Sequence, residues 1–145
     1  MTELWAVTTV HREEALLKSA HLFDTAVTVE GVRDFLQRPG HVMLLAWGPN
    51  GEGIGFVSGV EMRHPDKQPE MFLYELGVDE RFRRRGVATS LLRALRDEAI
   101  ARGCDAIWTG TERDNVAALA AYRAVGAEVE AESVFIVWDG FDARD

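Results

Sequence analysis

Six consecutive residues, Arg83-Arg84-Arg85-Gly86-Val87-Ala88, hold the densest chemistry in this sequence. They lie between an apolar run ending at Val78 and an amphipathic run beginning near Gly86. A helix N-terminus presents N–H groups without intrahelical acceptors, and its dipole adds positive potential. Gly86 lets a ligand come close to the backbone, and Ala88 keeps bulk out of the first turn. The arginines add charge that complements a pyrophosphate or a ribose phosphate. This arrangement predicts phosphate binding at the start of a helix.

Competing chemistries fail on residue type or spacing. No Gly-Lys-Ser or Gly-Lys-Thr follows a glycine loop, so no Walker sequence exists. The stretch Gly53-Ile54-Gly55-Phe56-Val57-Ser58 lacks the third glycine of a dinucleotide fingerprint and reads as a hairpin turn entering a strand. His11, His21, His41 and His64 are scattered, and no metal site is expected. There is no Gly-x-Ser-x-Gly elbow for a serine hydrolase. Cys104 is the single cysteine, which rules out an intrachain disulfide; it reads as a small apolar residue opening a strand.

The chain has 145 residues, 47% apolar and 28% charged, which suits one domain over 1–145 with a real core. A formal net charge of −8 argues against a nucleic-acid partner and suits a small cationic one. Against that background Arg81, Arg83, Arg84 and Arg85 form a basic island. No run approaches the ~20 apolar residues of a membrane span. The N-terminus lacks a basic region followed by an apolar one, so no membrane partner and a cytoplasmic location are expected.

The elements that must position the loop follow from periodicity and turn residues. Residues 3–9 read as a strand, 11–22 as a helix, and 28–36 as a second helix weakened by Gly31. Residues 41–47 and 54–62 read as a hairpin around Gly48–Gly51. A polar loop with two prolines is expected over 63–70, then a strand over 71–78. Val87, Leu91, Leu95 and Ala99 recur at helical spacing over 87–102, and Gly103 stops that helix. A strand over 106–111, a helix over 115–125 capped by Gly126, and a strand over 134–138 complete the order, with a further strand near 127–131. The order predicts an α/β (α+β) chain with a mixed central sheet and helices on both faces.

With those motifs in place, the sequence resembles the GNAT superfamily of N-acetyltransferases. Arg83-Arg84-Arg85-Gly86-Val87-Ala88 matches the family's cofactor signature, Gln/Arg-x-x-Gly-x-Gly/Ala. Asn115, Ala118 and Tyr122 match a second element, Asn-x-x-Ala-x-x-x-Tyr, although Ala127 replaces the usual aromatic after Gly126. The likeness implies a single-domain acyl-CoA N-acyltransferase fold and acetyl-CoA as cofactor. A narrower likeness, through Leu22-Phe23 and Tyr74-Glu75-Leu76-Gly77-Val78, is to class I aminoglycoside 3-N-acetyltransferases, which carry Tyr-Asp-Leu-Ala-Val at the latter place.

The resemblance implies roles. The acceptor amine must lose a proton, and Glu75 is the first candidate for base, with Glu61 the alternative. Backbone amides at Leu76 and Val78 would hold the pantetheine arm and steady an oxyanion, and Gly77 would ease a bulge there. Arg83 to Ala88, with Thr89 after them, would bind the pyrophosphate. Tyr122 would protonate the leaving thiolate, and Asn115 and Ala118 would line the pantetheine or cap the helix. The acceptor would meet the first helices and the 63–70 loop, where Asp24, Glu30 and Asp66 are cation partners, as are Glu112 and Asp114 further on.

The implied function is acetyl transfer to a primary amine of a small cationic molecule, with an aminoglycoside as the leading acceptor. Other acceptors are a protein N-terminus, a polyamine or a toxic amino acid analogue. A non-catalytic acyl-CoA-binding domain is the reading from another class. Phe135, Val137, Trp138 and Phe141 form either a homodimer surface or core.

Overall fold

The structure, a computed structural model, describes residues 5–141. The chain divides into two compact units, Met1–Thr109 and Gly110–Asp145.

The first unit contains β1 (Ala6–Thr9), α1 (Glu13–Leu17), a 3-10 turn (Ala20–Leu22), α2 (Val29–Leu36), β2 (His41–Trp47), β3 (Gly53–His64), β4 (Lys67–Val78), a second 3-10 turn (Glu80–Phe82), α3 (Val87–Ala101) and β5 (Ile107–Trp108). The strands form one sheet in the order β1-β2-β3-β4-β5. β1 to β4 are antiparallel, and β5 runs parallel to β4. This is the mixed sheet that the element order predicts.

Register assigns the two faces, because cross-strand partners share a face. Leu45 opposite Phe56 faces α1 and α2, in a core with Val10, Leu16, Val32 and Met43. Leu44 opposite Val57 faces the other way, toward α3. α3 buries Val87, Leu91, Leu95 and Ala99, the stripe seen in the sequence. Helices thus cover both faces, which is why β2 reads as a continuous apolar run and not as an alternating one.

The expected 63–70 loop is a correction. β3 runs to His64 and β4 starts at Lys67, so only Pro65 and Asp66 turn the chain. Pro69 lies within β4, buried, beside a register irregularity between Met62 and His64. A proline is tolerated at such a place because no ladder N–H is required. The helix expected over 11–22 is broken into α1 and a 3-10 turn. The expected 106–111 strand pairs only at Ile107 and Trp108.

The second unit holds α4 (Val116–Ala124) and no strand among the described residues. The strands expected over 127–131 and 134–138 are therefore corrected. Phe135, Val137, Trp138 and Phe141, read as either a homodimer surface or core, are exposed. Apolar residues in sequence make a strand only where a partner edge pairs with them, and none does here.

Candidate active site

The Arg83–Ala88 loop follows the point where β4 leaves the sheet. The Asp79 amide donates to Ile54 O at 2.8 Å. The Asp79 carboxylate then accepts from the Arg81 amide at 3.0 Å and from its guanidinium at 3.2 and 2.9 Å. These bonds lower the Asp79 carboxyl pKa to about 2. Arg81 is thus committed to turning the chain and stands apart from the rest of the basic island.

The three loop arginines differ from one another. Arg83 Nε donates to Val78 O at 3.2 Å, bracing the strand exit. Arg84 has φ of 62°, a left-handed conformation that costs a non-glycine residue about 1 kcal/mol or more. Arg85 places its guanidinium 5.0 Å from the ring centroid of Trp5 and 5.1 Å from that of Phe82. Gly86 has φ of 84°, where a side chain would be strained, and is the N-cap of α3.

The helix start is bare in the way a phosphate requires. α2 is capped by Thr28 Oγ1 and α4 by Asn115 Oδ1, whereas the N-cap of α3 has no side chain and its first turn has no acidic residue. The amides of Val87, Ala88 and Thr89 precede the first intrahelical donor, Ser90, which bonds Gly86 O at 3.0 Å. These residues fit an anionic pyrophosphate.

β4 contains the feature that sequence reading places wrongly. Ser58 pairs with Glu75 but the next residue, Gly59, pairs with Leu73, so Tyr74 is the extra residue of a β-bulge. Gly77 is in regular register with Phe56. Its glycine has another cause: a Cβ there would lie 2.7 Å from Phe56 Cε1. The bulge changes which face Glu75 occupies. Without it, Glu75 would follow Met71 and Leu73 toward α3; with it, Glu75 joins Ser58 and Phe56 on the α1–α2 face.

The bulge also turns backbone groups. Met71 N–H points to β5, donating to Ala106 O at 2.9 Å, while Asp79 N–H points to β3. Odd-numbered amides therefore change edge across Tyr74, and those of Leu76 and Val78 face the β5 side. β5 pairs with β4 only at Met71 and Phe72, so among the described residues no strand covers that edge. The expected bulge is present, displaced upstream from Gly77 to Tyr74.

Glu75 is half-buried, and burial, then the negative charge of Asp24, raises its pKa above the ordinary carboxylate value. Phe23, next to Asp24, packs on Phe56 with ring centroids 4.4 Å apart, which holds that segment over the Glu75 face. Glu61, the alternative base, bonds Arg63 at 2.6 Å and lies 3.4 Å from Arg102. It pairs with Met71, seven residues before Val78, so it neither sits at the open edge nor carries free charge. Of the other cation partners, Asp66 bonds His64 at 2.6 Å in the β3–β4 turn, and Glu30 lies in the first turn of α2.

In the second unit, Asn115 Oδ1 accepts from the Ala118 amide at 3.2 Å and Asn115 Nδ2 donates to Thr111 Oγ1 at 3.1 Å. Asn115 is thus a helix cap. Ala118 and Tyr122 are one turn apart on α4 and both half-buried. Glu112 and Asp114 are exposed in the preceding loop. Among the described residues, no group of three metal-ligating side chains assembles and no helix is long and apolar enough to cross a membrane. Sequence reading missed Trp5, which it placed within the 3–9 strand; a tryptophan in a strand pattern gives no signal of a contact 80 positions away.

The family model for the acetyltransferase (GNAT) family matches residues 7–127. The chain belongs to that family, whose members are enzymes that use acetyl-CoA. Its fold is that of several solved structures. The aminoglycoside acetyltransferase meta-AAC0020 from an uncultured soil metagenomic sample, in complex with sisomicin, is 15% identical over 94% of this chain and 96% of that one, with a TM-score of 0.84. AAC(6')-Iy in complex with the bisubstrate analogue CoA-S-monomethyl-acetylneamine is 22% identical over 95% and 99%, with a TM-score of 0.78. Glucosamine-6-phosphate N-acetyltransferase from Arabidopsis thaliana is 15% identical over 94% and 100%, with a TM-score of 0.78.

Proposed function

We propose that this acetyltransferase acylates a primary amine of a small polycationic molecule of the aminoglycoside kind. The observation that carries the reading is Glu75, turned by the Tyr74 bulge onto a face it shares with the charge of Asp24. Two carboxylates on one face attract an ammonium group. The one whose pKa is raised is the better proton acceptor for an amine of pKa about 10. The net charge of −8 also favours the approach of polycations.

Acetyl-CoA supplies the acetyl group as a thioester. The chain's own residues do the rest in this reading. Val87, Ala88 and Thr89 amides, with Arg83, Arg84, Arg85 and Gly86, bind the pyrophosphate. The Leu76 and Val78 amides hold the pantetheine arm and steady charge developing on the carbonyl oxygen. Glu75 accepts the amine proton. Tyr122, by its place in the α4 motif with Asn115 and Ala118, supplies the proton to the thiolate. The family match from 7 to 127 runs through both units, which supports one acetyltransferase domain over 1–145.

The strand motif Tyr74–Val78 favours the 3-amine of the acceptor, whereas AAC(6')-Iy carries a 6' designation. NMR of the product decides between the positions. Exposure of Phe135, Val137, Trp138 and Phe141 favours a homodimer, which sedimentation equilibrium tests. The test of the function is CoA release from acetyl-CoA with aminoglycosides, linear polyamines and peptides in parallel. Turnover confined to aminoglycosides supports the reading. Turnover on peptides alone, or cofactor binding with no turnover on any amine, contradicts it.

A further inference from the structure

We propose that Trp5 is a positioning residue for the cofactor loop, holding Arg85 and the start of α3 in the shape that receives the pyrophosphate. This rests on the assignment of the loop to the cofactor. Trp5 precedes β1 and is 80 positions from Arg85 in sequence, yet its indole Nε1 donates to Arg85 O at 2.9 Å. Its ring stands edge-on to Phe82, with centroids 5.8 Å apart and planes at 88°. The Arg85 guanidinium lies over both rings, at 5.0 and 5.1 Å. One residue therefore grips both the backbone and the side chain of Arg85.

Physical consequences follow from the peptide plane. In a trans peptide the carbonyl of one residue and the N–H of the next point in opposite directions. Fixing Arg85 O sets the Arg85–Gly86 plane and aims the Gly86 amide away from the indole. The segment needs such a restraint. Arg84 and Gly86, on either side of Arg85, both have positive φ, at 62° and 84°; the first is strained, and the glycine leaves other conformers open. A loop held in its binding shape avoids the ordering cost on association. The aromatic pair also fixes where the Arg85 charge sits.

The experiment compares Trp5→Phe and Trp5→Ala by calorimetry with CoA and by kinetics with acetyl-CoA and with acetylpantetheine, which lacks the pyrophosphate. Trp5→Phe keeps a ring but loses the donor, and CoA affinity is expected to fall about fivefold. Trp5→Ala loses ring and donor, and a fall of about twentyfold is expected. kcat, the acceptor KM and kcat/KM with acetylpantetheine stay within about twofold of wild type, which a general loss of structure would not permit. If the alanine variant does not fold, the phenylalanine variant carries the test. Unchanged CoA affinity in a folded variant, or equal losses with acetyl-CoA and acetylpantetheine, overturns the proposal. Gly86→Asp, run alongside, separates the two assignments. If it leaves CoA binding intact, the loop reading falls and this proposal with it. If it abolishes binding while the Trp5 variants bind normally, the Trp5 proposal alone falls.

Discussion

Glu75 stands opposite Ser58 across β3 and β4, on the same face as Phe56, because Tyr74 occupies the extra position of a β-bulge. A carboxylate placed by strict alternation would point at α3 and into the core. One inserted residue instead puts it on the face of Asp24 and Phe23 and frees the strand edge that follows. A single backbone irregularity thus sets both the candidate base and the candidate oxyanion amides.

That placement has a stability consequence. The folded-state pKa of Glu75 lies above its ordinary value of 4.5, through burial and then Asp24. Its contribution to stability is fully present below the unfolded pKa and is lost as pH rises through the folded pKa. Glu75→Gln is therefore expected to melt at or above the wild-type temperature near neutral pH, with the difference vanishing below pH about 4. Melting curves across that window check it. A variant less stable than wild type near neutrality would show that ionised Glu75 has a favourable partner.

Arg84 offers a trade between strain and binding. With φ at 62°, Arg84→Gly relieves about 1 kcal/mol of backbone strain, partly offset by added chain entropy in the unfolded state. Removing its charge from the loop is expected to weaken CoA binding about threefold to tenfold. Thermal denaturation and calorimetry on one sample read both terms. Tighter CoA binding in the variant would exclude Arg84 from the cofactor site.

Gly77 is a packing position. Gly77→Ala places a methyl 2.7 Å from the Phe56 ring and is expected to cost about 1–3 kcal/mol in urea unfolding. An unchanged midpoint would mean that Phe56 moves freely.

Tyr122→Phe removes a proton donor and keeps the ring. As the proposed acid its loss is expected to lower kcat about 100-fold while CoA affinity stays within about twofold. A kcat near wild type would leave Tyr122 as packing on α4.

The sequence legible in this fold is the part governed by local rules. Val87, Leu91, Leu95 and Ala99 mark α3, Asn115 caps α4, and Arg83–Ala88 marks the loop. Non-local pairing accounts for the misses. Pro69 reads as a loop residue until β3 is seen to continue past it at an irregular register. The bulge falls at Tyr74 and not Gly77 because register depends on two strands at once, and Gly77 answers to the Phe56 ring. Val134–Trp138 has strand composition but no paired edge. Glu61 and Glu75 look alike as strand carboxylates; only the positions of Arg63, Arg102 and Asp24 tell them apart.

The most direct test of the central claim is the pH dependence of kcat/KM for the preferred aminoglycoside in wild type, Glu75→Gln and Asp24→Asn. The wild-type acid limb is expected to lie above the ordinary Glu value, raised by burial and then by Asp24, and to shift to lower pH in Asp24→Asn. In Glu75→Gln the rate is expected to fall about 100-fold or more, with the Glu75 limb gone. Superimposable profiles for the three proteins would contradict that claim and remove Glu75 from the chemistry.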